Sequence, residues 1–241
     1  MPISLHSEKI KDEKNAFVEE LYKVFPQKDQ LISGDLNSAA SSVHKVYLAL
    51  YVMNYHKSSS LKTTYFEHLI TAAIESEALF LSGYKNAAHM QLRCATESAF
   101  KLLYFETHPF EWQLHLSGDF GMRGIDYRDF LYRHPKFIKL DFQKEQFESN
   151  WNELCQYSHY DINIVKDISC VIEITNVLSD KKELSDSIKK IKNSIKEMIC
   201  ILFMVDPRWL EGIEKAYFDY VFEILYTNEE RRLLIDKLGI V

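Results

Sequence analysis

Glycine and proline are scarce: 241 residues carry 7 Gly and 5 Pro. That is too few turn formers for a sandwich or barrel of many short strands, so the chain points to long helices. Cysteine is sparse too. Cys94, Cys155, Cys170 and Cys200 stand far apart with no CxxC pairing, which speaks against a disulfide framework and predicts reduced core thiols in a cytoplasmic protein. No apolar run approaches the roughly 18 residues of a membrane span, and the polar stretch from Met1 to Lys14 contains no apolar signal segment. No membrane partner is therefore expected. The net charge of −6 gives no global attraction to nucleic acid, so any such binding needs a local patch. Also absent are a glycine-rich phosphate loop, a GxSxG elbow, an HExxH helix and the Glu-x-x-His pairs of di-iron bundles. Neither a metal nor a cofactor is expected.

What is present is helical periodicity. Glu8 to Phe25 is one-sidedly amphipathic and ends at Pro26. A second helix, capped by Asp35 or Ser38, runs to about His56, and a third from Thr63 or Thr64 to Leu81. Ser82-Gly83 then reverses the chain into a helix from Lys85 to about Phe105, an antiparallel hairpin. Pro109, Gly118, Gly121, Gly124 and Pro135 make His108 to Lys139 read as a crossover loop with a short helix around Tyr127 to Tyr132. Phe142 to Tyr157 is helical again. Periodicity leaves Ile162 to Val177 open between helix and strand. Lys181 to Val205 is a clear helix, Asp206-Pro207 a stop and restart, and two helices from Trp209 and Asn228 finish the chain. The fold class is all-α: a helical bundle over residues 1–165 with a C-terminal helical extension over 166–241, or one continuous domain. With 14 Tyr and 15 Phe, the aromatic content exceeds what one bundle comfortably hides, and the last helices are apolar on more than one side. A homodimer through them is expected.

The hairpin's second helix carries the most informative pattern. His89, Arg93, Glu97 and Lys101 recur every fourth residue on an otherwise apolar helix and share a face. Desolvated charges need partners. Arg93 and Glu97 can pair with each other, and the candidate they jointly face is His159, delivered with Ser158 at the end of the Phe142–Tyr157 helix. A second constellation, Arg128 and His134, lies in the crossover. Lys181, Lys182, Lys189, Lys190, Lys192 and Lys196 form a basic stripe, read as an exposed face or as an RNA or partner footprint.

The hairpin, the Leu-Arg-x-x-x-Glu-x-x-x-Lys helix, the His108-Pro109 that follows it and the later Tyr-Ser-His helix end resemble HEPN-like helical proteins of bacterial abortive-infection and toxin systems. The resemblance covers about residues 40–165. It implies a helical bundle of a kind that often dimerises and, in active members, a metal-independent endoribonuclease whose Arg and His have four to six residues between them. Arg128 and His134 match that spacing, although Gly124 and Pro135 flank a short element there instead of a long core helix. The resulting expectation is an RNA-directed effector in bacterial defence or a toxin module. Arg93, Glu97 and His159 are its primary catalytic candidates, Arg128 and His134 the secondary ones, and Lys101 and Ser158 the RNA contacts; a protein partner or antitoxin is also expected. The rival is a non-catalytic helical interaction subunit of a defence complex, in which the polar stripe only supports packing.

Overall fold

The computed structural model describes residues 63–81, 84–158, 181–208 and 215–240, together with Lys45 and Ala49. Most of these are helical and none is in a strand. In chain order the described helices are α1 (Thr63–Leu81), α2 (Lys85–Thr107), α3 (Pro109–Ser117), α4 (Gly124–Arg133), α5 (Pro135–Ile138), α6 (Asp141–Ser158), α7 (Lys181–Val205), α8 (Lys215–Leu225) and α9 (Asn228–Leu238). The expected helix over 8–25 lies outside the described residues, as does the segment 162–177. Of the one reaching His56, only Lys45 and Ala49 are described, both helical.

Small side chains fix the α1–α2 hairpin. Ala72 and Ala73 of α1 and Ala88, Ala95 and Ala99 of α2 are all buried, which lets the two backbones approach closely. Ser76 Oγ donates to the Ala88 carbonyl at 2.8 Å near the closed end of the hairpin. Helix α2 is the centre of the bundle, with α1, α4, α6 and α7 packed around it. Its buried hydroxyls need acceptors, and the helix supplies them: Thr96 donates to the Leu92 carbonyl and Ser98 to the Cys94 carbonyl, each at 2.9 Å.

Helix α7 closes the core from the other side. Every residue from Ser194 to Met204 is buried, as expected of a helix that is apolar nearly all round. Among the described residues, no helix is long and apolar enough to cross a membrane. Two ionisable side chains, Lys196 and Glu197, share this interior and each has a partner. Lys196 meets Glu230 at 2.6 Å, and Asn150 Nδ2 donates to both Ser194 Oγ and Glu197 Oε2 at 2.9 Å. Of the basic stripe, Lys190 pairs with Glu153, so the stripe is partly neutralised.

The breaker-rich segment after α2 is more regular than a crossover loop. Pro109 and Pro135 stand at helix starts, where a missing N–H costs nothing. Gly118, at φ 85°, ends α3 in the left-handed conformation while the Asp119 N–H returns to the Leu114 carbonyl at 2.9 Å. Four of the residues that look like breakers thus mark helix ends, with Pro109, Gly124 and Pro135 at first positions and Gly118 at a C-cap.

Beyond Asp206, whose Oδ1 accepts the Arg208 N–H at 2.9 Å, residues 209–214 lie outside the described set. Helix α9 opens with a capping box. Glu230 N–H donates to Thr227 Oγ1 at 3.3 Å while Thr227 N–H donates to Glu230 Oε2 at 2.9 Å. Thr227→Ala is expected to cost about 1 kcal/mol, read as a lower urea midpoint with an unchanged m-value.

Candidate functional site

Three helices enclose a pocket of about 490 Å³. Tyr65 and His68 reach it from one face of α1, Glu97, Ser98 and Lys101 from α2, and Trp112 and His115 from α3. Tyr65 and His68, Trp112 and His115, and Lys101 with both Glu97 and Ser98 are three or four residues apart, so each helix turns one face to the pocket.

Two imidazoles stand on its walls, and their hydrogen bonds fix how each is used. His115 Nδ1 lies 3.1 Å from the Phe120 carbonyl, which only accepts, so Nδ1 carries a proton. In the neutral ring, Nε2 then accepts the Tyr65 phenol proton at 2.6 Å. On α1, His68 Nδ1 lies 2.7 Å from Ser98 Oγ. The Ser98 hydroxyl proton is already given to the Cys94 carbonyl, so Oγ accepts from His68 Nδ1–H and the Nε2 lone pair remains for a ligand. By the same logic Ser98 is not a nucleophile prepared by His68.

Aromatic rings shape the wall around these groups. Tyr65 stacks on Phe105 with centroids 5.6 Å apart and meets Trp112 edge-on at 5.8 Å. Burial, and secondarily the Glu97 charge, raises the Tyr65 phenol, which keeps it a proton donor. Burial is also the main reason Tyr127 is pushed up to about 12. Lys101 Nζ stands 5.7 Å from the Tyr65 ring centroid and 5.8 Å from that of Tyr127. The Cys94 thiol is raised, first by burial and then by Glu97, which works against the nucleophilic thiolate.

Glu97 is the electrostatic hub. Its Oε1 lies 2.9 Å from Lys101 Nζ and its Oε2 3.7 Å from Arg93 Nη2. The carboxylate also presses on the first residue of α4. A Cβ at Gly124 would stand 2.9 Å from Glu97 Oε2, so glycine is what permits the approach, and a helix N-terminus favours a carboxylate beside it.

The other residues singled out in the sequence fall as follows. The Arg93 guanidinium turns toward α6 and lies over Trp151 at 5.4 Å. His89 is in the core at 2 % exposure, and burial, with the Lys190 and Lys85 charges, lowers it to about 3. It is a neutral ring away from the pocket. His159 lies outside the described residues, as does the side chain of Ser158. Arg128 pairs with Asp129 at 2.6 Å and lies over the Tyr132 ring at 5.6 Å. His134 Nδ1 accepts the Lys136 N–H at 3.3 Å as the N-cap of α5, and burial followed by Lys136 lowers its pKa. Both are held in local contacts around α4.

Tyr65, His68, Trp112 and His115 were not singled out by the sequence reading. Their one sequence signal is on α3, where Pro109 at the first position and Trp112, His115 and Leu116 at helical spacing mark a helix face. Among the described residues, no group of three or more His, Cys, Asp or Glu is placed to hold a metal ion. No protein-family model, no curated protein and no solved structure matches this chain. Fold and site together define an α-helical protein with a pocket lined by two hydrogen-bonded imidazoles and a lysine.

Proposed function

We propose that the chain is an RNA-directed effector of bacterial defence or of a toxin module, and that the α1–α2–α3 pocket cleaves RNA without a metal. The observation that carries this reading is the convergence of two hydrogen-bonded imidazoles and a lysine in one pocket. His68 Nε2 removes the 2′-hydroxyl proton, the 2′-oxygen attacks phosphorus and the bond to the 5′-oxygen breaks. When the His115 ring is protonated, its Nε2–H donates to the Tyr65 oxygen instead, which frees the phenol proton for the departing oxygen and then replaces it. Lys101 stabilises the charge on the pentacoordinate phosphorus. The products are a 2′,3′-cyclic phosphate and a 5′-hydroxyl end. The HEPN-like resemblance supports the same reaction class through other residues, Arg128 and His134. Homodimerisation through the C-terminal helices and control by a protein partner or antitoxin belong to the same proposal.

The rival reading, a non-catalytic interaction subunit, draws on the mutual pairing of Arg93, Glu97 and Lys101 and their seats over Trp151 and Tyr65. In that ladder each charge has a partner without a ligand. Incubation with an end-labelled single-stranded RNA separates the two. Cleavage to cyclic-phosphate ends, lost in Lys101→Ala and retained in Arg128→Ala and His134→Ala, supports the pocket. Loss only in the latter two moves the reaction to α4, and an intact RNA with every variant leaves the interaction subunit. Light scattering at micromolar concentration tests the dimer, and a monomer contradicts it.

A further inference from the structure

Lys101 is the pocket's cation, yet it is already engaged. Its ammonium sits 2.9 Å from Glu97 Oε1, and an oxyanion ligand needs the same donors. Glu97 itself does not depend on Lys101 alone. Oε2 faces Arg93, and the carboxylate rests against the start of α4, where Gly124 leaves it room. One carboxylate thus has two settings for its charge, one turned to the pocket lysine and one to Arg93 and the α4 terminus.

We propose that Glu97 is a built-in competitor for Lys101, and that the pocket takes a phosphate-type oxyanion by transferring Lys101 from Glu97 to the ligand while Arg93 and the α4 N-terminus retain the carboxylate. The inference rests on the phosphodiester reading above and adds to it a control point outside the pocket. Three charges explain the exchange. Among the described residues Arg93 and Lys101 share the single Glu97 carboxylate, so cations exceed carboxylates in this cluster and an incoming phosphate evens the count. Both cations and the carboxylate are only about a quarter or a fifth exposed, so their attraction is less screened than on an open surface. Gly124 sets the balance between the two settings. A methyl there displaces the flexible end of Glu97 from α4 and drives it toward Lys101, which strengthens the resting pair at the expense of ligand.

The test is isothermal titration with inorganic phosphate, repeated with an oligonucleotide that carries 2′-deoxyribose and cannot be cleaved. Glu97→Ala is expected to bind either probe about tenfold more tightly than the wild type, and Lys101→Ala to lose binding. Gly124→Ala is expected to bind several-fold more weakly, with no loss of melting temperature, since alanine in a helix is otherwise neutral or stabilising. In the Glu97→Ala background, Gly124→Ala should change nothing, because the group it displaces is gone. Unchanged or weaker binding in Glu97→Ala overturns the proposal, and so do a Gly124→Ala effect that persists without Glu97 and an absence of binding in all variants. Cleavage is scored separately. Phosphate exchange with intact RNA sinks the ribonuclease reading and leaves the competitor in place; cleavage without the exchange does the reverse.

Discussion

Replacing His68 with alanine is expected to slow RNA cleavage by roughly 10² to 10⁴-fold, the range in which a positioned general base contributes. The fold should survive, because His68 is on the exposed side of α1 and its one described hydrogen bond, to Ser98, contributes on the order of 1 kcal/mol. For a chain of this size that corresponds to a melting shift of about 2–4 °C. The geometry makes the two effects separable. Ser98 keeps its bond to the Cys94 carbonyl when the imidazole is gone, so no buried donor is orphaned. Single-turnover kinetics beside a thermal melt provide the check. A variant that melts many degrees lower and cleaves at the wild-type rate makes His68 a strut for the α1–α2 hairpin and removes it from the chemistry.

The helical frame was legible because its signals are local. The turn at Ser82-Gly83 and the apolar periodicity of α2 and α7 place their first residues at Lys85 and Lys181, where the structure has them. The segment between α2 and α6 was harder, because Pro109, Gly118, Gly124 and Pro135 stand at helix ends, and a proline or glycine there carries the same sequence signal as one that breaks a helix. The pocket was legible on one helix only. Glu97 and Lys101 announce themselves by spacing within α2, but Tyr65 and His115 are 50 residues apart and His68 and Ser98 are 30 apart. No periodicity joins such pairs. Their partnership is created by the bundle, as is the approach of Gly124 to Glu97, in which a residue that reads as a loop signal is the space for a carboxylate.

Stability is expected to fall as pH rises from about 6.5 to 8, and one buried carboxyl on α1 accounts for much of the slope; below 6.5 the lowered His89 opposes it. Glu77 is 7 % exposed, its Oε1 has no hydrogen-bond partner among the described residues, and burial raises it from 4.5 to about 8. The folded protein therefore keeps a proton on Glu77 that the unfolded chain releases. Its stabilisation is full below the unfolded value of 4.5, declines as pH rises through the interval and is lost once the folded value near 8 is passed. At about 1.4 kcal/mol per pH unit, the loss is on the order of 5 kcal/mol across that window. Glu197 acts in the same direction, since burial holds it well above its ordinary value despite the opposing hydrogen bond from Asn150. Glu77→Gln keeps the shape and removes the proton equilibrium. Urea unfolding at several pH values between 6.5 and 8 should show a shallower decline in Glu77→Gln by about one proton's worth of slope, with the residual dependence reduced further in Glu77→Gln/Glu197→Gln. If the Glu77→Gln curve runs parallel to the wild type, the carboxyl is ionised in the folded state, and the α1 interior must hold a partner for its charge.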